Sequence, residues 1–276
     1  MNVTDTDITA ADITATDITA TDITALVLDV PHIPYISCEM LEECAEELLR
    51  DCSPESLITP GQVDIDSLME YYIGLNIDFH NISEDGGILG LTAFNDGMVS
   101  VVDWHTGIPA VLNVKRGTVI IDTLLTETRM LQRLRFTMAH ELAHWLLHRR
   151  VFTLGSHFGA ACVAEPDKLY ISDRFGGSGN PSARKVFDNY MRMEYQANFL
   201  ASAILMPRQM LTAAVMGFFK KQGEADNLFG IYTGEWLTNN LTIHIARTFN
   251  VSKRTAQARL AKPGVIAGGG VVLANR

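Results

Sequence analysis

Apolar residues recur with a helical period near the start of the chain. A helix is predicted over 38–51, with Ser37 as its side-chain cap and an apolar face that consists of Leu41, Cys44, Ala45 and Leu48. A second helix is predicted over the stretch DSLMEYYIGL, beginning at Asp64 or Asp66.

The middle of the chain has the shorter apolar runs that are typical of strands. ILGLTAF and MVSVVDW flank Asn95-Asp96-Gly97, which indicates a hairpin. PAVLNV and TVIIDTLL flank Lys115-Arg116-Gly117, which indicates another turn. Residues 76–123 are therefore predicted to form a small, mainly antiparallel sheet.

Helical patterns return after the sheet. A long helix is predicted to begin near Thr126 or Thr128, and another over 182–206, with Pro207 in the first turn of the next. Two short helices are expected around Asn250, and the Gly/Ser/Pro-rich stretch DRFGGSGNPS is predicted to be a loop. Strands followed by helices indicate an α+β fold.

The N-terminus has a different pattern. Residues 4–25 repeat every five positions, with one isoleucine per repeat, which fits neither a helix nor a strand. So little apolar surface cannot offset the entropy of ordering, so residues 1–26 are predicted to be disordered. A main domain over 27–239 and a helix-turn-helix-like end over 240–276 complete the predicted organisation.

Composition fits an ordinary globular protein. The 276 residues are 47% hydrophobic and 20% charged, with a formal net charge of -10 that disfavours indiscriminate nucleic-acid binding. No apolar run reaches the roughly 20 residues of a membrane helix, and no secretory signal opens the chain, so a cytoplasmic protein is expected. The four cysteines form no CxxC pair, and reduced, mostly buried thiols are predicted.

The stretch RFTMAHELAHWLLHRR, residues 135–150, carries polar side chains within an otherwise buried helix. His140 and His144 lie one turn apart on the same face, so both imidazoles can reach one zinc ion. Glu141 can point at the remaining coordination position and take a proton from water there. This is the H-E-x-x-H pattern of zinc peptidases.

His148 is not predicted to be a ligand. It lies about 12 Å along the helix axis from His140, whereas zinc–nitrogen bonds are about 2 Å long. It is interpreted as a helix-end residue or a group at the rim of the site.

The third ligand must come from another element, and Glu194 is the best candidate. It shares a helix face with Ala197, Asn198 and Ala201, and the alanines would let this helix approach the histidines. Asn198 is expected to hydrogen-bond the second nitrogen of a ligand imidazole. Rival ligands are Asp173, Asp188 and His157.

RFTMAHELAHWLLH followed by EYQANFLASAILMP resembles the ImmA/IrrE family of zinc metallopeptidases, with similarity over about residues 27–262. The resemblance implies a zincin-like fold of the gluzincin type, with one zinc ion on His140, His144 and Glu194 and with Glu141 as catalytic base. It also implies cleavage of helix-turn-helix repressors that control mobile elements or stress responses. The N-terminus carries no such repressor domain, so the expected substrate is a separately encoded repressor and no membrane is involved.

The sequence does not decide two features of the substrate site, the oxyanion donor and the role of one strand. An oxyanion donor is needed, and the candidates are Tyr190, Tyr195, His157 and Tyr170. The strand TVIID precedes the histidine helix, where it is either an edge strand that pairs with an extended substrate or a buried internal strand.

The alternative function is a zinc-containing regulator that binds a repressor or DNA without cutting. IARTFNVSKRTAQARL resembles a helix-turn-helix, with basic side chains available for phosphates at Arg247, Lys253, Arg254 and Arg259. DNA binding is not the favoured reading, because the chain is acidic. A structural zinc site would need no base, so Glu141 favours catalysis.

Overall fold

Helix α1, Cys38–Cys52, begins where the sequence predicts it, and the Ser37 hydroxyl accepts a hydrogen bond from the Met40 amide. The computed structural model describes residues 33–103, 106–154, 162–164, 181–226 and 234–262, and the predictions for residues 1–26 lie outside them. The buried face of α1 holds Leu41, Ala45 and Leu49, together with Glu42 and Glu46. The described cysteines whose side chains are placed are free thiols, but the prediction of mostly buried thiols is wrong, because Cys44 is exposed and Cys38 and Cys52 are partly exposed.

Strands occupy two small sheets. The strands are β1 Asn76–His80, β2 Gly90–Ala93, β3 Gly97–Val102, β4 Pro109–Val114, β5 Thr118–Asp122 and β6 Cys162–Ala164. The larger sheet has the order β1-β5-β2-β6, and β3 pairs with β4 in the other. β1 runs parallel to β5, and the remaining pairs are antiparallel. The sheets are thus mainly antiparallel, as predicted, but the larger one is mixed.

The predicted hairpin at Asn95-Asp96-Gly97 is wrong, because β2 and β3 belong to different sheets. β2 and β5 are buried at every residue, whereas β3 and β4 alternate between more and less buried residues. Burial on both faces places β2 and β5 side by side in the core and leaves β3 and β4 to form the hairpin. The two predicted turns meet each other, since the Arg116 amide donates to Asp96 and the Gly117 amide donates to Ala93.

β5, the strand TVIID, is an internal strand. It lies between β1 and β2, and Thr118–Asp122 is buried throughout. Both of its edges are used for pairing within the sheet, so the hypothesis that an extended substrate pairs along it is wrong.

The described helices pack mainly against one another, and the helix that holds His140 and His144 contacts the larger sheet. They are α2 Ile65–Ser67, which continues as a π-helical segment Leu68–Ile73, α3 Leu131–Leu154, α4 Pro181–Leu205, α5 Arg208–Asp226, α6 Gly234–Phe249 and α7 Lys253–Leu260. α3 begins later than predicted, because Thr123–Thr126 and Thr128–Met130 form 3-10 turns. α6 runs across positions 239 and 240, where the sequence suggested a domain boundary.

α3 is the central helix. It packs along α4 on one side and against β2 and β5 on another. The Arg135 guanidinium on α3 donates to the carbonyl oxygens of Val63 and Asn250, so the same helix also holds the segment before α2 and the turn before α7. The fold is mixed α and β, as the sequence predicts.

Among the described residues, no single helix is long and apolar enough to cross a membrane. One bent pair, Asp188–Leu205 with Arg208–Lys221, passes the same test by length and composition only.

Candidate metal centre

The middle of α3 is enclosed on all sides. His140, Glu141 and His144 have no exposed surface, and neither do Ala139, Leu142 and Ala143 around them. An isolated buried imidazole or carboxylate is unfavourable without a partner, so the partners of these groups define the site.

Three side chains from α3 and α4 converge on one point. His140 Nε2 and His144 Nε2 are 2.9 Å apart. Glu194 Oε2 is 3.4 Å from His140 Nε2, and Glu194 Oε1 is 3.3 Å from His144 Nε2. The structure therefore brings together the three residues that the sequence proposed as ligands, and within the described part of the chain they form a group that could hold a metal ion.

The spacing of these atoms fits a small divalent cation. Tetrahedral zinc with bonds of 2.0–2.1 Å keeps its ligand atoms about 3.3 Å apart. The three separations, 2.9, 3.3 and 3.4 Å, lie around that value. Two imidazole nitrogens and a carboxylate also form a donor set that suits zinc.

α4 can bring Glu194 to the histidines because its facing side chains are small. Ala197 and Ala201 are fully buried at the three- and seven-residue spacing from Glu194, on the face that packs along α3. The Glu194 side chain is 12% exposed. Burial alone would raise its pKa, but the adjacent imidazoles of His144 and His140 hold the pKa of Glu194 well below its usual range.

His148 occupies a different place from the one predicted. It is 1% exposed, and it lies within α3 rather than at its end, so the interpretation as a helix-end or rim residue is wrong. Its Nδ1 atom is 3.1 Å from His144 Nδ1, and its Nε2 atom is 3.1 Å from Gln196 Oε1. Burial, followed by the neighbouring His144, lowers the pKa of His148 to about 3, so the imidazole is neutral. Burial also lowers the pKa of His144.

The Glu141 carboxylate is held by strand β2. The Thr92 hydroxyl donates to Glu141 Oε2 at 2.6 Å and approaches the Glu141 carbonyl oxygen at 3.3 Å. Gly90, two residues earlier on the same face of the strand, lets β2 approach closely, since a Cβ atom there would be 2.6 Å from Glu141 Oε1. Sequence reasoning missed both residues. The available signal was their two-residue spacing, which places Gly90 and Thr92 on the same face of β2.

Several other residues that the sequence predicted for the site do not take the predicted roles or lie outside the described part of the chain. The Asn198 side chain donates to the Glu194 carbonyl oxygen at 2.8 Å, and His148 instead contacts the second nitrogen of His144, so the predicted role of Asn198 is wrong at this ligand. Asp188 is exposed on α4, six residues before Glu194, and is not one of the residues that meet at the metal position. His157, Asp173 and Tyr170 lie outside the described residues.

The two tyrosines on α4 differ in direction. Tyr190 is buried one turn before Glu194, on the same face of the helix, so it remains a candidate oxyanion donor. The Tyr195 hydroxyl is 3.3 Å from Cys38 Sγ at the start of α1, and its ring faces Phe199 and Lys262. The contact with Cys38, followed by burial, raises the pKa of Tyr195 to about 12. Tyr195 therefore faces α1 rather than the histidines.

Residues 176–261 match the family model described as the IrrE N-terminal-like domain of the M78 peptidases. The resemblance to the ImmA/IrrE family is confirmed. The matched M78 segment contains Glu194 and Gln196 and includes all of α7, whereas His140 and His144 precede it. No curated protein matches the chain. The M78 family suggests a metallopeptidase and implies a metal cofactor, for which the His140, His144 and Glu194 group is the candidate site.

Proposed function

We propose that the protein is a zinc-dependent endopeptidase of the zincin-like, gluzincin type that cleaves a separately encoded helix-turn-helix repressor. The observation that carries the proposal is the meeting of His140, His144 and Glu194 beside a carboxylate, Glu141, that Thr92 holds in place. The M78 match supports the peptidase class. The repressor as substrate rests on the family resemblance alone.

The proposed mechanism gives each side chain one task. His140, His144 and Glu194 would hold the zinc ion, which when bound polarises the scissile carbonyl and lowers the pKa of water. Glu141 acts as general base, and its carboxylate takes the proton of the attacking water and later delivers it to the leaving amine. The Thr92 hydroxyl fixes the direction of that carboxylate, and the apolar packing around α3 excludes other water.

Binding of DNA without cleavage is less well supported. Arg259, one of the four basic side chains offered for phosphates, is fully buried against Glu42. Lys253 is exposed, but its ammonium group donates to Asn239. Because Arg259 is buried, it cannot contact phosphates, and the electrostatic attraction on which DNA binding depends is weaker.

The test compares new protein N-termini in host cells that express either the wild type or Glu141→Gln. Loss of a general base lowers the rate by roughly 10²–10⁴-fold, so a terminus inside a repressor should appear with the wild type only. Zinc content is measured in both purified proteins, because Glu141→Gln leaves all three proposed ligands in place. Identical termini from two zinc-loaded proteins would contradict proteolysis and favour a regulator that acts by binding.

A further inference from the structure

A line of hydrogen bonds connects a proposed zinc ligand to the backbone near the start of α1. It runs from His144 to His148, from His148 to Gln196, and from Gln196 Nε2 to the Pro34 carbonyl oxygen at 2.7 Å. His144, His148 and Gln196 are each at most 1% exposed, so water does not compete for the contacts among these three side chains, while the bond to Pro34 is partly buried.

The Pro34 carbonyl oxygen, at one end of this line, determines which atom is the donor and which the acceptor in every hydrogen bond. A carbonyl oxygen only accepts, so the Gln196 amide group turns its NH₂ to Pro34 and its Oε1 to His148. Oε1 also only accepts, so the proton of His148 is on Nε2. A neutral imidazole has a single N–H, which leaves His148 Nδ1 as an acceptor for a proton on His144 Nδ1.

The opposite arrangement does not allow ligation. If His148 carried a proton on Nδ1, it would donate to His144 Nδ1, and the proton of a neutral His144 would be on Nε2. That atom is the one that faces His140 and Glu194 at 2.9 and 3.3 Å. A nitrogen with a proton has no lone pair for a metal, so only the first arrangement leaves His144 ready to bind.

We propose that Gln196 and His148 are positioning residues that set the tautomer of His144 and keep its Nε2 lone pair directed at the metal position. The inference rests on the proposed zinc site. It explains how His144 is held in the tautomer that can bind the ion. The usual partner of a ligand imidazole is a carboxylate or a backbone carbonyl. Here a neutral histidine fills that place, and the Pro34 carbonyl fixes its orientation through Gln196.

Three substitutions separate this role from packing between α3 and α4. His148→Phe removes the acceptor for His144, and Gln196→Met removes the acceptor for His148. His148→Asn restores an acceptor oxygen at the position of Nδ1. Ser202→Ala is the matched control, because it removes a buried hydrogen bond to the Phe199 carbonyl farther along α4.

Zinc affinity is measured on the full chain by competition with a chromophoric chelator, and the free energy of unfolding is measured on the metal-free proteins. His148→Phe and Gln196→Met should weaken zinc binding by about 10–100-fold, as loss of such partners does elsewhere. His148→Asn and Ser202→Ala should stay within a few-fold of the wild type. Equal zinc affinity in all five proteins, with only stability reduced, would overturn the proposal and leave a packing role.

A spectroscopic measurement decides the question even where a variant does not fold. Long-range ¹H–¹⁵N correlation spectra of the wild type, metal-free and zinc-loaded, report which ring nitrogen of each histidine carries the proton. The expected result is a proton on Nε2 of His148 and, in the metal-free protein, on Nδ1 of His144. A proton on Nδ1 of His148 would overturn the proposal. Failure of the wild type to bind zinc would contradict the proposed function, while the metal-free spectrum would still decide the tautomers.

Discussion

At the residue scale, Gly90 is a position where β2 lies too close to α3 for a side chain. A Cβ atom at this position would be 2.6 Å from Glu141 Oε1 and 2.8 Å from Thr137 Cγ2. Both neighbours belong to the buried part of α3, where close packing leaves little room for adjustment. The absence of a side chain is therefore what lets Thr92 reach the Glu141 carboxylate.

Gly90→Ala should destabilise the protein by about 1–3 kcal/mol, because an added methyl group overpacks the contact with α3. Urea unfolding measures the change. Gly217→Ala is the matched control, since Gly217 lies in helix α5 with nothing within 4 Å of an added Cβ, and alanine there should stabilise by up to about 1 kcal/mol. Equal effects of the two substitutions would contradict the account of Gly90.

At the scale of elements, α7 is joined to α1 by a buried ion pair. The Arg259 guanidinium donates to Glu42 Oε1 at 2.5 Å and to Oε2 at 2.7 Å, and also to the Met206 carbonyl oxygen. Arg259 is fully buried and Glu42 is 3% exposed. The last described helix is thereby attached to the first one and to the end of α4.

Arg259→Met should lower the free energy of unfolding by about 3–5 kcal/mol, because it leaves the Glu42 carboxylate buried without its counter-charge. The double substitution Arg259→Met with Glu42→Leu should recover much of this loss, since it removes both charges. Lys253→Met, at an exposed position of the same helix, should change stability by no more than about 0.5 kcal/mol. A double variant no more stable than Arg259→Met would contradict this explanation.

At the scale of the whole molecule, the proposed ligands lie where the sheet and the helices meet. α3 packs against β2, β5 and α4, and Arg135 extends its contacts to the turn before α7. Protonation of a buried imidazole on α3 therefore opposes folding, because α3 packs against the sheet and against α4 and its imidazoles have almost no exposed surface for solvation of a charge.

The metal-free protein should lose stability as the pH falls below about 6.5. The unfolded chain protonates His148 with a pKa of about 6.5, whereas the folded protein keeps it neutral down to a pKa of about 3. The folded-state pKa is depressed, so stability is full above 6.5 and decreases by up to about 1.4 kcal/mol per pH unit below it. His144, whose pKa is also lowered, acts in the same direction.

Urea unfolding at pH 7.5, 6.5, 5.5 and 5.0 in the presence of a chelator measures this slope. His148→Asn, which has no titrating ring at that position, is the control and should have a smaller slope. A wild-type slope that is flat over this interval would contradict a neutral, buried His148.

Local spacing predicted the features that depend on one helix. The Ser37 cap and the shared face of His140 and His144 follow from periodicity, whereas Glu194 was favoured over its rivals by the small residues on its helix face and by the family resemblance. Strand pairing did not follow, because the Asn95-Asp96-Gly97 turn signal is local whereas the burial of β2 and β5 depends on what covers them. Axial distance argued against His148 as a ligand, but that distance carries no information about the contact of His148 with His144 Nδ1.

The hydrogen bonds to the Ile33 and Pro34 carbonyl oxygens make the residues before α1 important for the proposed metal site. Arg192 donates to the Ile33 carbonyl oxygen at 2.8 Å, and Gln196 donates to that of Pro34. Proteolytic trimming that left Tyr35 as the first residue would remove both acceptors without touching a ligand. The Gln196 amide would then be free to rotate, and the effect would reach His144 through His148. Under the role proposed for Gln196 and His148, processing of the N-terminus would weaken zinc binding at the proposed site.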